Sequence, residues 1–407
     1  MFKHFFLLFF TFFFGRISAQ ILQNKIFADS IKTAYIHLKG DKLSYPILRL
    51  GTNDILVLEF DDLNMNNSVS DYQYTFIHCN KNWEPSELTF DQYIDGFEEN
   101  YVDNYKFSFN TLTNYVHYSV QFPNDNIKFL KSGNYIILIY KDGDTSQKIL
   151  QMRFIVVEPL VEVKGTVHIP SLSLYRNNYQ EVDFEVDSKT PLTNPLEYVD
   201  AAVLQNWDWN TVKYLKPRFI QGNNLIYDYE KENLFLGYNQ FRYFITKNTN
   251  FIAPHTQKIK LNDKYEFILE TDYPMTKYFF NNDINGRFYI RNERGFNDET
   301  EADYVLVHFF LLSPIKYNED IYIYGALSLW QFDKRFKMHY DPKSGYYYTT
   351  LLLKQGVYNY SYRTPKNTGI IDGSFSETKN QYFIFVYYYD NALNYDKVIG
   401  YTVLKNF

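Results

Sequence analysis

The sequence contains a single cysteine, Cys79, among its 407 residues. One thiol excludes an internal disulfide and a zinc site built from several thiolates. Basic residues are also not in excess, because 41 lysines and arginines stand against 47 aspartates and glutamates, and the formal net charge is -6. A chain without a basic stripe lacks the electrostatic footprint of nucleic-acid binding. We therefore expect no nucleic-acid partner.

Catalytic signatures are absent too. The sequence has no GxSxG, GxxxxGK[ST] or HExxH motif, and no GxGxxG follows a predicted strand. Cys79 lies beside His78, but neighbouring residues of a strand point to opposite faces, so this pair does not form a nucleophile and base. We expect a non-enzymatic protein with no catalytic, cofactor-binding or metal-binding residues. A hydrolase using an unrecognised pair of carboxylates stays open, because carboxylates are common along the chain.

Two acidic stretches are read as structural. Asp142 and Asp144 flank Gly143, which is the pattern of a hairpin turn, and the spacing lacks the full ligand set of an EF-hand loop. The run Asp298 to Asp303 reads as a solvated linker.

The N-terminus carries an export signal. Lys3 precedes the apolar run Phe5 to Phe14, and a small-residue site ends at Ala19. This is the pattern of a signal peptide over residues 1–19, and the apolar run is shorter than the roughly 20 residues that span a bilayer. No later segment is long and apolar enough to span as a helix. We expect an exported chain that begins at Gln20 and has no membrane span.

Aromatic residues make up 20% of the chain, with 40 tyrosines and 37 phenylalanines. Such residues favour strands, and short apolar or alternating runs separated by turn signals recur along the chain. The sequence predicts an all-β protein of tandem immunoglobulin-like or fibronectin-like β-sandwich domains. The predicted divisions are 20–158, 159–300 and 301–407. We also expect exposed patches of aromatic rings.

The four tryptophans are candidates for contact with a partner or a glycan: Trp83, Trp207, Trp209 and Trp330. Trp207 and Trp209 lie two residues apart, so on a strand they would share a face. The alternative is that these rings fill a core, as large aromatic side chains usually do.

The last block resembles the early-set immunoglobulin-like modules, which include glycogen- and starch-binding ones. The likeness rests on Gly325 followed by Trp330, and then on Leu353 to Tyr360 (LKQGVYNY). It implies the fold more strongly than the ligand, because only Trp330 lies in the matching segment. A periplasmic glycan-binding protein is therefore our alternative function.

A second resemblance covers nearly the whole exported chain. The stretch His78 to Leu88 (HCNKNWEPSEL) and the segment Tyr93 to Phe97 (YIDGF) resemble the first domain of the type IX secretion system plug protein family of Bacteroidota. The likeness continues in order through FSFNT at 107–111, His117-Tyr118, Pro123-Asn124, SGNY at 132–135, Gln205-Asn206, YDY at 227–229, NQFR at 239–242, DING at 283–286, LKQG at 353–356 and IGY at 399–401. The segment Trp207-Asp208-Trp209 and Gln240 depart from the family pattern.

The plug resemblance implies a periplasmic protein held at the outer membrane through a protein partner. Members of the family dock at the periplasmic mouth of a very large outer-membrane β-barrel translocon and seal its pore when no cargo passes. The resemblance brings no cofactor and no assigned contact residues.

Overall fold

Strands and turns dominate the computed structural model, which describes residues 21–64, 69–366 and 369–406. The predicted all-β fold of tandem sandwiches is confirmed. The predicted signal peptide lies outside the described residues. Among those residues, no helix has the length and apolar character needed to cross a membrane.

The first block forms a β-sandwich. One sheet has the order β1-β12-β11-β5-β7, with β3 added beside β12, and the facing sheet has the order β2-β4-β9-β8. The elements are β1 (Lys25–Ile26), β2 (Ile31–Leu38), β3 (Ile47–Arg49), β4 (Leu56–Asp62), β5 (Tyr72–Cys79), α1 (Phe90–Tyr93), β6 (Ile94–Gly96), β7 (Asn100–Tyr101), β8 (Asn104–Phe107), β9 (Val116–Phe122), β10 (Ile127–Phe129), β11 (Gly133–Lys141) and β12 (Asp144–Val157).

The predicted hairpin joins β11 to β12, with Asp142 and Gly143 both at positive φ. Along β11, Tyr135 and Ile137 face the sandwich core, while Ile136 faces a second apolar cluster on the other side of the sheet. Burial on both faces explains why this strand reads as a continuous apolar run instead of an alternating one.

The second block continues with short strands. Its elements are β13 (Val161–His168), β14 (Tyr179–Ser188), α2 (Pro195–Tyr198), β15 (Val199–Gln205), β16 (Asp208–Leu215), β17 (Phe219–Gln221), β18 (Asn224–Tyr227), β19 (Leu234–Leu236), β20 (Arg242–Ile245), β21 (Thr256–Leu261), β22 (Tyr265–Leu269), β23 (Phe288–Ile290) and α3 (Asp298–Glu301).

The last block contributes β24 (Tyr304–Leu312), β25 (Tyr322–Tyr324), β26 (His339–Asp341), β27 (Tyr346–Lys354), β28 (Gly356–Arg363), β29 (Gln381–Asp390) and β30 (Tyr395–Lys405). Within the described ranges, 3₁₀ turns cover Ser173–Tyr175, Ala326–Ser328 and Lys334–Phe336.

Sheet pairing crosses the predicted division near residue 300. β15 lies between β16 and β29 in the sheet β16-β15-β29-β30, so the final strands join the second block. In the other direction, β20 and β23 pair with β28, and β22 pairs with β24. Sequence pattern identifies strands but not their distant partners, which is why consecutive blocks were expected. We propose that 161–236 with 381–405 form one domain and that 242–363 form the core of another.

The sheet β16-β15-β29-β30 is a shared middle layer. Ala202 and Leu204 of β15 pack with Ile136 and Ile155 of the first sandwich. On the opposite face of β15, Val199, Ala201 and Val203 pack against the sheet β13-β14-β18-β17. The first and second domains therefore adjoin through a continuous apolar layer.

Candidate protein-contact surface

The tryptophans named from the sequence lie in cores. Trp83, Trp207, Trp209 and Trp330 are only 2%, 7%, 9% and 6% exposed. The rings of Trp83 and Trp209 meet edge to face at 4.8 Å, and the Arg153 guanidinium lies 4.3 Å from the Trp83 ring centre. This cluster joins the first sandwich to the middle layer.

Trp207 lies in a turn and not on a strand, and the Trp330 ring is packed against other rings. Trp207 follows Asn206 in the β15–β16 turn, both at positive φ, so it does not share a strand with Trp209. The Trp330 ring packs against Phe241 and Tyr324, with ring centres 6.0 and 5.7 Å away. The recognition surface expected on these four rings is therefore not formed. The alternative, that they fill cores, is what the structure has, and Trp330 offers no open face to a sugar ring.

Several exposed rings are clustered in a short stretch of the first domain. Phe97, Tyr101, Tyr105, Phe107 and Phe109 are 43–69% exposed. We call these five residues the aromatic edge. The sequence does not distinguish these rings as exposed, because buried and exposed aromatic residues in short strands produce the same local pattern.

The aromatic edge is built on edge strands. Among the described strands, β8 pairs only with β9, and all four of its residues are exposed. Tyr105 and Phe107 lie two residues apart on β8, so they share a face, and their rings meet edge to face at 6.0 Å. Tyr101 sits opposite Gln73 at the end of the other sheet.

A cleft of about 420 Å³ opens beside these rings. Phe97, Tyr101 and Asn104 line it together with Tyr74 and Gln121. Exposed rings next to a polar cleft give a partner protein both apolar area and hydrogen-bonding groups, as protein interfaces require.

The segment that carries the aromatic edge is tied to the last domain. Lys106 forms an ion pair with Glu299 at 3.1 Å, and the Phe109 N–H donates to the Thr300 carbonyl at 2.9 Å. The backbone N–H groups of residues 112 and 113 donate to the Asp303 carboxylate at 2.8 and 3.0 Å. These bonds tie the backbone that carries Phe107 and Phe109 to residues 299–303.

Beneath this segment lies a buried polar joint centred on Asp61. Its carboxylate accepts from Lys354 Nζ at 2.7 Å, from His117 Nδ1 at 2.7 Å and from the Tyr304 hydroxyl at 2.6 Å. Burial alone would raise the pKa of Asp61, but the Lys354 and His117 charges and hydrogen bonds outweigh it and hold that pKa below its usual range. β4 extends through Asp62, so Asp61 lies within the strand.

The neighbouring carboxylates Glu59 and Glu299 could hold a cation with His117, since ligand atoms of the three lie within 4.8 Å of one another. The Lys42 ammonium already lies 3.7 Å from Glu59 and 3.5 Å from Glu299. Although burial would raise the pKa of Glu59, a His37 hydrogen bond and the Lys42 charge lower it to about 2. The pKa of Glu299 is also lowered, despite its burial, by nearby lysines. Neither carboxyl keeps the proton that a glycosidase acid needs at neutral pH.

A second group of possible metal ligands consists of His168, Glu181 and Asp183. His168 Nε2 already pairs with Asp183 at 2.6 Å, and Glu181 accepts from the Ser171 N–H at 2.6 Å. Their ligand atoms are thus engaged in local hydrogen bonds.

Cys79 and His78 face opposite sides of β5, as expected. The thiol lies in the tryptophan cluster, where burial raises its pKa to about 12. His78 bonds to Ser86 and to the Ser132 carbonyl, and burial lowers its pKa to about 4. This geometry and protonation do not produce a thiolate nucleophile.

Comparison with known proteins shows similarity to a protein family and to solved structures. Residues 31–158 match the family model for the type 9 secretion system plug protein 1st domain, and this range includes the aromatic edge. The crystal structure of a hypothetical protein from Parabacteroides merdae has a TM-score of 0.90 and 31% sequence identity with this chain. The match covers 94% of this chain and 99% of that one. No curated protein is significantly similar in sequence.

Proposed function

Because this chain belongs to the type IX secretion system plug family, we propose that it is a non-enzymatic subunit that seals the secretion pore. It binds the periplasmic mouth of the large outer-membrane β-barrel translocon and closes it when no cargo passes. The family match over residues 31–158 carries this proposal. The predicted signal peptide supports export to the periplasm.

The aromatic edge is the proposed contact with the barrel. It lies inside the matched domain, and its rings bring large contact area with few rotatable bonds. Its anchors to Glu299 and Asp303 keep the rings in place before binding, so less conformational entropy is lost on association. A rigid cap suits a protein-sized opening, which would otherwise leak small solutes.

A comparative pull-down tests both parts of the proposal. The tagged chain is recovered in mild detergent from its native envelope, alongside a Tyr105→Ser/Phe107→Ser variant. The matched control is Phe251→Ser/Phe296→Ser, which removes two exposed rings outside the matched domain. We expect the unaltered chain and the control to recover a very large outer-membrane β-barrel, and the edge variant to lose it.

The outcomes distinguish the plug role from the assignment of the contact surface. Recovery of the barrel by all three proteins would reject the aromatic edge as the contact while keeping the plug role. Failure of the unaltered chain to recover any such barrel would reject the plug role itself.

A further inference from the structure

The unpaired edge of β27 borders a cleft that Thr350 and Leu352 help to line. β24 pairs with β27 along its whole length, but β26 covers only Tyr346, Tyr347 and Tyr348 on the other side. Residues 349–354 have no strand neighbour on that side within the described ranges. A row of free backbone groups of this kind is a template for another strand.

The register identifies the free groups. The Gln355 N–H donates to the Asp303 carbonyl, so the backbone groups of residue 355 point towards the side of β24. In an antiparallel pair, successive residues of a strand direct their backbone groups alternately towards the partner strand and away from it. Leu351 therefore faces β24, whereas Thr350 and Leu352 direct their N–H and C=O groups into the cleft. An added strand can form four backbone hydrogen bonds there.

The cleft has room and an apolar lining for such a strand. Its volume is about 610 Å³, within the range of ligand-binding pockets. Its apolar lining includes Ile31 of β2, Phe332, Phe336, Leu329 and Leu353. Alternate side chains of an extended segment would therefore be buried.

The charges of the cleft select the partner. Lys25, Lys32 and Arg335 line it with a single acid, Asp333, which is paired with Arg335 at 2.6 Å. Neither lysine is in an ion pair in the part of the chain that is described, and Lys32 donates only to the Asp29 carbonyl, at 2.6 Å. Burial and the nearby Arg335 lower the pKa of Lys32. This positive cleft in a chain of net charge -6 is complementary to a carboxylate.

We propose that the cleft binds an extended protein segment that adds a short strand to β27 and places an aspartate or glutamate beside Lys32. The binding mode is β-augmentation, in which backbone hydrogen bonds give affinity and alternate side chains give specificity. The proposal rests on the cleft alone and does not depend on the plug role.

Fluorescence anisotropy with labelled peptides tests it on the exported chain. The probe is an acetylated Thr-Val-Asp-Val-Asp-Val peptide, and the comparison peptides replace both aspartates by lysine or by proline. We expect the acidic peptide to bind about tenfold more tightly than the lysine peptide. We expect the proline peptide not to bind, because it loses both carboxylates and the two N–H donors of the replaced residues.

Two protein variants locate the binding. Thr350→Pro removes one free N–H at a sheet edge, where proline is tolerated, and we expect affinity to fall about tenfold. Lys32→Glu should reverse the preference towards the lysine peptide, and Lys164→Glu, a surface change on β13, should leave binding unchanged. If Thr350→Pro fails to fold, as judged by circular dichroism, the Lys32→Glu reversal decides alone.

Three results would overturn the proposal. They are no binding of the acidic peptide, equal binding of acidic and lysine peptides, and binding that both variants leave intact. A concentration-dependent dimer of the chain that Thr350→Pro abolishes would show instead that a second copy occupies the edge.

Discussion

Removing Lys354 should strongly destabilise the protein, because its ammonium is the main counter-charge of a buried carboxylate. The side chains of Lys354 and Asp61 are 2% and 1% exposed, and Nζ also donates to the Glu299 carbonyl at 2.6 Å. The ammonium lies 4.2 Å from the Tyr115 ring centre as well. Lys354→Met keeps the volume of the side chain but removes all three interactions.

The size of the effect follows from what Asp61 retains. Removing one partner of a buried ion pair costs roughly 3–5 kcal/mol, mainly because the other charge stays buried without compensation. His117 and Tyr304 still donate to Asp61, which limits this penalty. The lost carbonyl bond and ring contact add about 1 kcal/mol or more. We expect the free energy of unfolding to fall by about 4 kcal/mol.

Urea unfolding at pH 7, followed by the fluorescence of the buried tryptophans, measures the change. The matched control is Lys164→Met, whose partner Glu162 is 56% exposed, and its unfolding midpoint should not move. The double variant Asp61→Asn/Lys354→Met removes both charges and should be more stable than Lys354→Met. A Lys354→Met free energy within about 1 kcal/mol of the unaltered protein would refute the reasoning. Simple additivity in the double variant would refute it as well.

The same variant should be more sensitive to acid. The folded-state pKa of Asp61 is depressed, so the stability it contributes is present at neutral pH and is lost as the pH falls through that folded value. Without Lys354 the depression shrinks, and the acid-unfolding midpoint should move to higher pH. An unchanged midpoint would show that His117 and Tyr304 alone hold the charge.

Two further predictions concern buried residues of the other domains. Burial raises the pKa of Asp208 to about 6, above its unfolded value, so its stabilising contribution is lost as the pH rises through 6. The unfolding free energy of the unaltered protein should therefore decline by about 3 kcal/mol between about pH 4 and pH 7, and Asp208→Asn should remove this decline. Urea unfolding at several pH values measures it, and an equal dependence of the unfolding free energy on pH in both proteins would contradict the prediction. Trp330→Ala should lower the free energy of unfolding by roughly 3–5 kcal/mol, because the ring is buried against Phe241 and Tyr324. On a glycan array we expect neither this variant nor the unaltered chain to bind, and binding that the variant abolishes would restore the glycan-binding alternative.

Local features of this chain were readable from sequence. The turn at Asp142-Gly143 depends on residues that are close in sequence, and it appears as predicted. Its signal is a turn dipeptide, which is a property of the local backbone.

Features set by distant partners were not readable. No residue near Asp61 in the sequence indicates that Lys354 is its partner, and only the folded chain brings the two together. Trp207 looked like a strand residue, although it occupies a tight turn and packs on Phe383 from the end of the chain. The aromatic edge was missed for the same reason, since exposure depends on which strand ends a sheet.

The middle layer has a consequence for the order in which the chain can fold. β15 is enclosed by β16 on one side and by β29 on the other, and β29 lies far later in the chain. Until β29 pairs with it, β15 has an open edge between two apolar faces. Such an edge is prone to aggregation, and pairings between distant strands form slowly. We therefore expect the middle layer to close late in folding, once the C-terminal strands are in place beside β15.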